Sequence, residues 1–306
     1  MEAYAAEARK RELDFIVVAG WHDRMREEDY QLMVRACAEQ SSGMLHVQPA
    51  LITKDEFGHT FLQCGDNAWP KEKRLSEKMP DRVKDHLGYW MKDSNFPLRV
   101  PINIGGNPYP GWLYSGINAY AVETLWNGDL KDWSLQGYLA NNAEGSRVRP
   151  IAVDLITDPA EIRTAEHLTF LVGWNPTQFL EQFTRNQFSG GRNAYVSSGP
   201  RILNARLDNA RRKLYGSLGA PPGMDRWRFR IQATSEVPLE RLILYDQEAI
   251  FRDIDLKGQT NVFEVVEGLH DRRRVLTAVL VDEEGGRAIS GGFETGTDTM
   301  RQTFCS

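Results

Sequence analysis

From about residue 226 onward the chain reads as strand after strand. The segments RWRFRIQATS (226–235), LERLILYD (239–246), NVFEVVEG (261–268) and RRVLTAVLVDEEG (273–285) are strand-like, and several alternate apolar and polar residues in period two, with turn residues between them. Successive side chains of a strand point to opposite faces, so the pattern buries one face and wets the other. No convincing helix interrupts this half. The expected fold for it is a β-sandwich of roughly a hundred residues.

The first half is patterned differently. Residues 2–13 are Ala-rich and charged, without Gly or Pro, and predict a helix. FIVVAG (15–20) fits a buried strand of a parallel sheet. EEDYQLMVRACAEQ (27–40) places Tyr30, Met33, Val34 and Cys37 at helical spacing. MLHVQPALIT (44–53) and HTFLQC (59–64) read as strands, as do AYAVETLWNG (119–128), RPIAVDLIT (149–157) and HLTFLVGW (167–174). TQFLEQFTRNQFSGGR (177–192) predicts a helix with Phe179, Leu180, Phe183 and Phe188 on one face, stopped by Gly190-Gly191. Residues 66–116 are rich in Pro, Gly and aromatics. Helix and strand in alternation point to an α/β architecture. The boundary between the halves falls between 200 and 225, where GSLGAPPGMD (216–225) has linker chemistry. The expected division is therefore 1–205 and 220–306.

The 306 residues carry a formal charge of -5, with no run of like charges long enough to suggest a tail. That argues against a nucleic-acid surface. No apolar stretch approaches the ~20 residues a bilayer span needs. The start, MEAYAAEARKRELD, lacks the apolar centre of a signal peptide, so the chain as given is expected to stay in the cytoplasm. Cys37, Cys64 and Cys305 are odd in number and widely spaced, which fits reduced thiols better than a disulfide framework or a zinc knuckle. No G-x-S-x-G elbow is present.

Several segments, taken in order, resemble the PHP (polymerase and histidinol phosphatase) superfamily, in its CehA/McbA-like branch. LDFIVVAGWHD (13–23) stands where that branch has a strand ending in T-D-H-N. VQPALITKDEFGHTFLQCG (47–65) matches its G-x-E…G-H segment, and AVETLWNG (121–128) its acidic strand. GGRNAYVSSGP (190–200) matches its closing signature, and SEVPLERLILYDQEAIFRD (235–253) the start of its β-domain. The resemblance implies a distorted, TIM-like, seven-stranded β/α barrel holding two or three divalent metals at its strand ends, followed by a β-domain. Here the barrel would lack its first strand, together with the H-x-H motif that strand carries.

The departures bear on chemistry. Trp21, Leu51, Asn107 and Ala160 stand where the family has metal-binding carboxylates or histidines. The family-matched ligands that remain are His22, His59 and Asp158, enough for a weak mononuclear Zn, Mn or Fe site. Each has a plainer reading. His22 fits a loop after a strand, His59 a turn, and Asp158 a helix cap ahead of Pro159 and Glu161. Asn107 opens a loop that carries the aromatics Tyr109, Trp112 and Tyr114, and Glu123 sits in the acidic strand. These five are the candidates for substrate contact at a barrel mouth, with packing on the rim as the alternative.

Two functions follow from the resemblance. One is a binding or accessory module for a small molecule, a carbohydrate or a phosphorylated ligand, with metal bound weakly or not at all. The other is a metal-dependent hydrolase of phosphoester or related bonds, with its first metal motif upstream of Met1. Antiparallel strands through residues 15–60 would overturn the barrel.

Overall fold

The computed structural model describes residues 1–54, 60–65, 69, 98–102, 119–121, 132–143, 149–152, 156–163, 168–171, 194–209, 226–269 and 274–295. Helix α1 (Glu2–Lys10) is followed by β1 (Phe15–Trp21), α2 (Glu27–Gln40) and β2 (His46–Lys54). α1 stops where Glu12 takes a φ of 58° and the Leu13 N–H bonds back to the Ala8 carbonyl at 3.0 Å. This left-handed exit is a common helix terminus. Ala5 and Ala8 of α1, Cys37 of α2 and Val47 of β2 bury one another. β1 and β2 pair in parallel, from Phe15 opposite His46 to Trp21 opposite Ile52. They form a βαβ unit with α2 as the crossover.

A second parallel pair follows the same plan. β5 (Ala119–Ala121) and β6 (Arg149–Ile151) are parallel, and α3 (Asp132–Ala143) lies between them in sequence. Leu135, Tyr138 and Leu139 of α3 are buried, and the Tyr138 hydroxyl donates to the Ser290 carbonyl at 3.0 Å.

These two units do not close into a barrel, and the structure corrects the expectation of a TIM-like, PHP-type β/α barrel. β3 (Thr60–Cys64) pairs antiparallel with β2, and β4 (Leu98–Ile102) antiparallel with β3, giving a four-stranded sheet in the order β1-β2-β3-β4. The physical reason is the length of the connection. Only residues 55–59 separate β2 from β3. A parallel return needs a crossover of about a dozen residues, whereas an antiparallel hairpin closes in a few. The described residues contain three α-helices, too few to jacket a β/α barrel.

The rest is one antiparallel sheet, curled into a half-barrel, where a two-sheet sandwich was expected. Its path runs β11-β10-β12-β13-β8-β7, with β9 on β10 and β14 on β12. The strands are β7 (Leu168–Leu171), β8 (Ala194–Ser197), β9 (Arg201–Asn209), β10 (Arg226–Asp246), β11 (Ala249–Leu269), β12 (Arg274–Asp282), β13 (Arg287–Ser290) and β14 (Phe293–Thr295). β10 explains the single sheet. It is one strand of 21 residues, and its first half pairs with β9 while its second half pairs with β12. Register shifts between Thr234 and Leu239, and between Leu239 and Arg241, bend it. Bulges of this kind raise twist and turn a strand through a corner. They also shift the inward phase: Trp227, Phe229, Ile231, Ala233 and Leu239 are buried before the last shift, Leu242 and Leu244 after it. One core of Trp227, Phe229, Leu244, Leu276, Leu280 and Phe293 therefore spans both halves of the curl.

Candidate functional site

The site best formed among the described residues lies at the C-terminal end of β1. His22, Asp23 and Arg24 make a single 3-10 turn directly after Trp21, and α2 begins at Glu27. Ends of parallel strands leading into a helix are common ligand positions in open α/β sheets. α2 is set by its first turn, where the Arg26 N–H donates to Asp29 Oδ2 at 3.2 Å. Tyr30, one turn on, is fully buried against Leu51 of β2, with Met25, Met33, Val34 and Trp69 around them.

Trp69 gives this end its character. Its ring stacks on the His22 imidazole, with centroids 4.7 Å apart and planes 27° apart, and meets Tyr30 at 5.6 Å and 52°. Arg24 lies 5.5 Å above the Trp21 ring, within cation–π range. Trp21, His22 and Trp69 are all half-buried. On β2 and β3, the Gln63 amide donates to the Thr53 hydroxyl at 2.5 Å. Gln63 lies opposite Leu51, and Thr53 is two residues beyond Leu51 on the same strand. This polar pair thus shares the sheet face that carries Leu51.

The proposed metal ligands are placed as follows. His22 opens the turn after β1. Asp158 is exposed and stands directly before the 3-10 turn Pro159–Arg163, where its Oδ1 accepts the Ala160 N–H at 2.9 Å. Glu161 Oε2 returns to the backbone N–H groups of Thr157 and Asp158 at 3.1 and 3.3 Å. This is the capping reading of Asp158, made reciprocal by Glu161. The turn is docked on α1 through the Tyr4 hydroxyl to the Thr157 carbonyl (2.6 Å) and Arg11 Nη1 to the Ile162 carbonyl (2.5 Å). His59, Asn107, Tyr109, Trp112, Tyr114 and Glu123 lie outside the described residues, as does the expected helix 177–192. Among the described residues no three His, Cys, Asp or Glu side chains converge.

Cys37 and Cys64 are buried free thiols. Burial pushes Cys37 up to about 11 and Cys64 up to about 12, so both stay protonated. Among the described residues no helix is long and apolar enough to cross a membrane.

Trp69 is the residue that sequence reasoning missed. It lies in a stretch without periodicity, and a lone Trp there gives no sign of what it will cover. The closing signature, by contrast, has a structural explanation over its described part. Ser198 exchanges bonds with Arg287, its N–H donating to the carbonyl and its Oγ accepting the N–H, both at 2.9 Å. Gly199 packs so close to Asp282 that a Cβ there would fall 2.7 Å from Oδ2. The same Asp282 accepts the N–H groups of Glu284 and Gly286 through Oδ1, at 3.1 and 2.6 Å. AYVSSGP therefore fastens the β8–β9 corner to the β12–β13 hairpin.

No family model matches the chain, and neither a characterised protein nor a solved structure does.

Proposed function

We propose that the chain is a divergent relative of the PHP proteins that works without their barrel, as a binding or accessory module for a small ring-bearing or phosphorylated ligand. The observation that carries this reading is the stacking of His22 on Trp69 at the open end of β1. It makes His22 part of an aromatic pair with Trp69, suited to a flat or sugar ring. The capping role of Asp158 supports the reading, because that carboxylate is already engaged by the Ala160 N–H. The second reading, a metal-dependent phosphoesterase, is favoured by one feature: His22 stands at the end of a parallel strand, where a PHP enzyme would carry a ligand. In that case His22 would help hold a divalent metal, which would supply Lewis-acid activation of water.

The test pairs two measurements on the purified chain. Hydrolysis of p-nitrophenyl phosphate and bis(p-nitrophenyl) phosphate is assayed with Mn²⁺ or Zn²⁺, and thermal shifts are recorded with a panel of sugar phosphates and nucleotides. The expected result is no metal-dependent turnover, and a ligand-induced shift that Trp69→Ala removes. Turnover that needs the metal and disappears in His22→Ala would replace the binding reading with the hydrolase.

A further inference from the structure

We propose that the outer face of β9, β10 and β11 binds an acidic saccharide, a glycan containing uronate units. The strand register lays out two adjacent rows across the three strands. Asn204, Gln232 and Phe263 form one row, and Arg206, Arg230 and Val265 the next. The inward neighbours Trp227, Phe229, Ile231 and Ala233 fill the core, so these six alternate positions face out. A shallow cleft of about 260 Å³ lies here, lined by Asn204, Arg206, Arg230, Ile231, Gln232 and Phe263.

Each row has a chemical reading. Phe263 is 63% exposed, although a phenyl ring on a strand can usually turn its apolar area toward a core. One exposed ring means little alone. Here it stands directly opposite an amide that stands opposite a second amide. A sugar ring offers an apolar C–H face for an aromatic ring and hydroxyls at its edge. Asn and Gln each present a donor and an acceptor from one planar group, which suits hydroxyls that both give and take.

The second row sets the charge. Arg206 and Arg230 are direct cross-strand partners, and like charges in that position repel. Asp208 is shared between them, its Oδ2 lying 3.6 Å from Arg206 Nε and 3.4 Å from Arg230 Nε. Arg228, the next outward residue of β10, is taken by Glu267. One carboxylate between two guanidinium groups leaves a positive excess at the cleft. A ligand carboxylate fits that excess through the paired N–H groups of Arg. The cleft is smaller than the ~300–1,000 Å³ pockets that enclose a whole small molecule. It suits one or two units of a chain that runs on across the open sheet.

The site shares no residue with the end of β1, so this proposal and the one above fail separately. The experiment is affinity electrophoresis of the full chain through gels containing polygalacturonate, alginate or hyaluronate, with dextran as the uncharged comparison. At least one acidic polymer is expected to retard the protein, and dextran not to. Phe263→Ala and Arg230→Gln should each weaken retardation about tenfold, with an unchanged thermal midpoint because both side chains lie on the outer face. Asp208→Asn, which frees both arginines, should strengthen it. Migration unaffected by all three acidic polymers would overturn the proposal. So would equal retardation by dextran, or retardation that the three variants leave unchanged.

Discussion

Trp227 and Gly268 show how closely two residues can define each other. Trp227 is fully buried on β10, and Gly268 faces it on β11. A Cβ at residue 268 would fall 2.2 Å from Cζ2 and 2.5 Å from Cε2 of the indole. The indole is rigid and is tilted against Phe251 with centroids 5.4 Å apart, so it cannot swing clear without moving its neighbours. Gly268→Ala should therefore destabilise the chain by about 1–3 kcal/mol, the usual range for overpacking. Denaturant unfolding followed by tryptophan fluorescence measures it. Adding Trp227→Leu makes room, so the double variant should lose less than the sum of the singles. Strictly additive losses would show that the two positions do not meet. In the sequence Gly268 looks like the turn that ends NVFEVVEG. Its role is legible only once β10 is laid against β11, because a missing side chain leaves no mark on a hydrophobic pattern.

At the scale of elements, local patterns reported themselves well and long-range pairing did not. α2 runs over the 14 residues whose spacing predicts it, because Tyr30 and Cys37 fall on one face and the flanking loops stop it cleanly. α3 escaped notice. Ser134, Gly137, Asn141 and Asn142 are poor helix formers, and packing of Tyr138 on β13 overrides their weak propensity. The runs 226–235 and 239–246 look like two strands with a turn between them, yet they form one bent strand, since a bulge and a turn draw on similar residues. Of the candidate site, His22 was found through the resemblance of LDFIVVAGWHD to a strand ending in T-D-H-N, while its partner Trp69 came from a stretch with no pattern at all. The end of that bent strand carries a testable tie. Arg274 Nη1 at the start of β12 meets Asp246 Oδ2 at the end of β10, 2.5 Å away, with the side chains only 12% and 3% exposed. Asp246→Asn removes the carboxylate charge that the buried Arg274 guanidinium meets, a change that costs about 3–5 kcal/mol in comparable pairs. Equilibrium unfolding should show a loss of that order. Asp246→Leu combined with Arg274→Met should recover much of it, because an apolar pair carries no desolvation penalty. If the single variant unfolds like the parent, the pair is held in solvent and does not join the two strands.

For the whole molecule, the sheet pairing decides which pieces can stand alone. Linker chemistry at 216–225 suggests a cut that leaves residues 220–306 as a folding unit. The hydrogen-bond pattern points elsewhere. β9 covers one edge of β10 from Arg201 opposite Thr234 to Asn209 opposite Trp227, and β8 covers the free edge of β13. β7 in turn pairs with β8, and Phe170 stacks on Tyr195 with centroids 4.7 Å apart and planes 5° apart. Ile202 and Leu207 of β9 and Tyr195 of β8 belong to the same core as Trp227 and Phe229. A piece beginning at residue 220 would lose all of these while keeping β10 and β13. It would then expose two unpaired strand edges beside uncovered core residues, the arrangement that drives edge-to-edge aggregation. A piece beginning at residue 164 keeps β7, β8 and β9 in place. Produced side by side, the 220–306 piece should be insoluble or lack a cooperative thermal transition. The 164–306 piece should be soluble and unfold cooperatively, though the loss of α3 from beneath Ser290 should lower its midpoint. Circular dichroism melts of the two pieces and the full chain make the comparison. A cooperative melt of 220–306 at the temperature of the full chain would mean that β7, β8 and β9 only decorate the sheet.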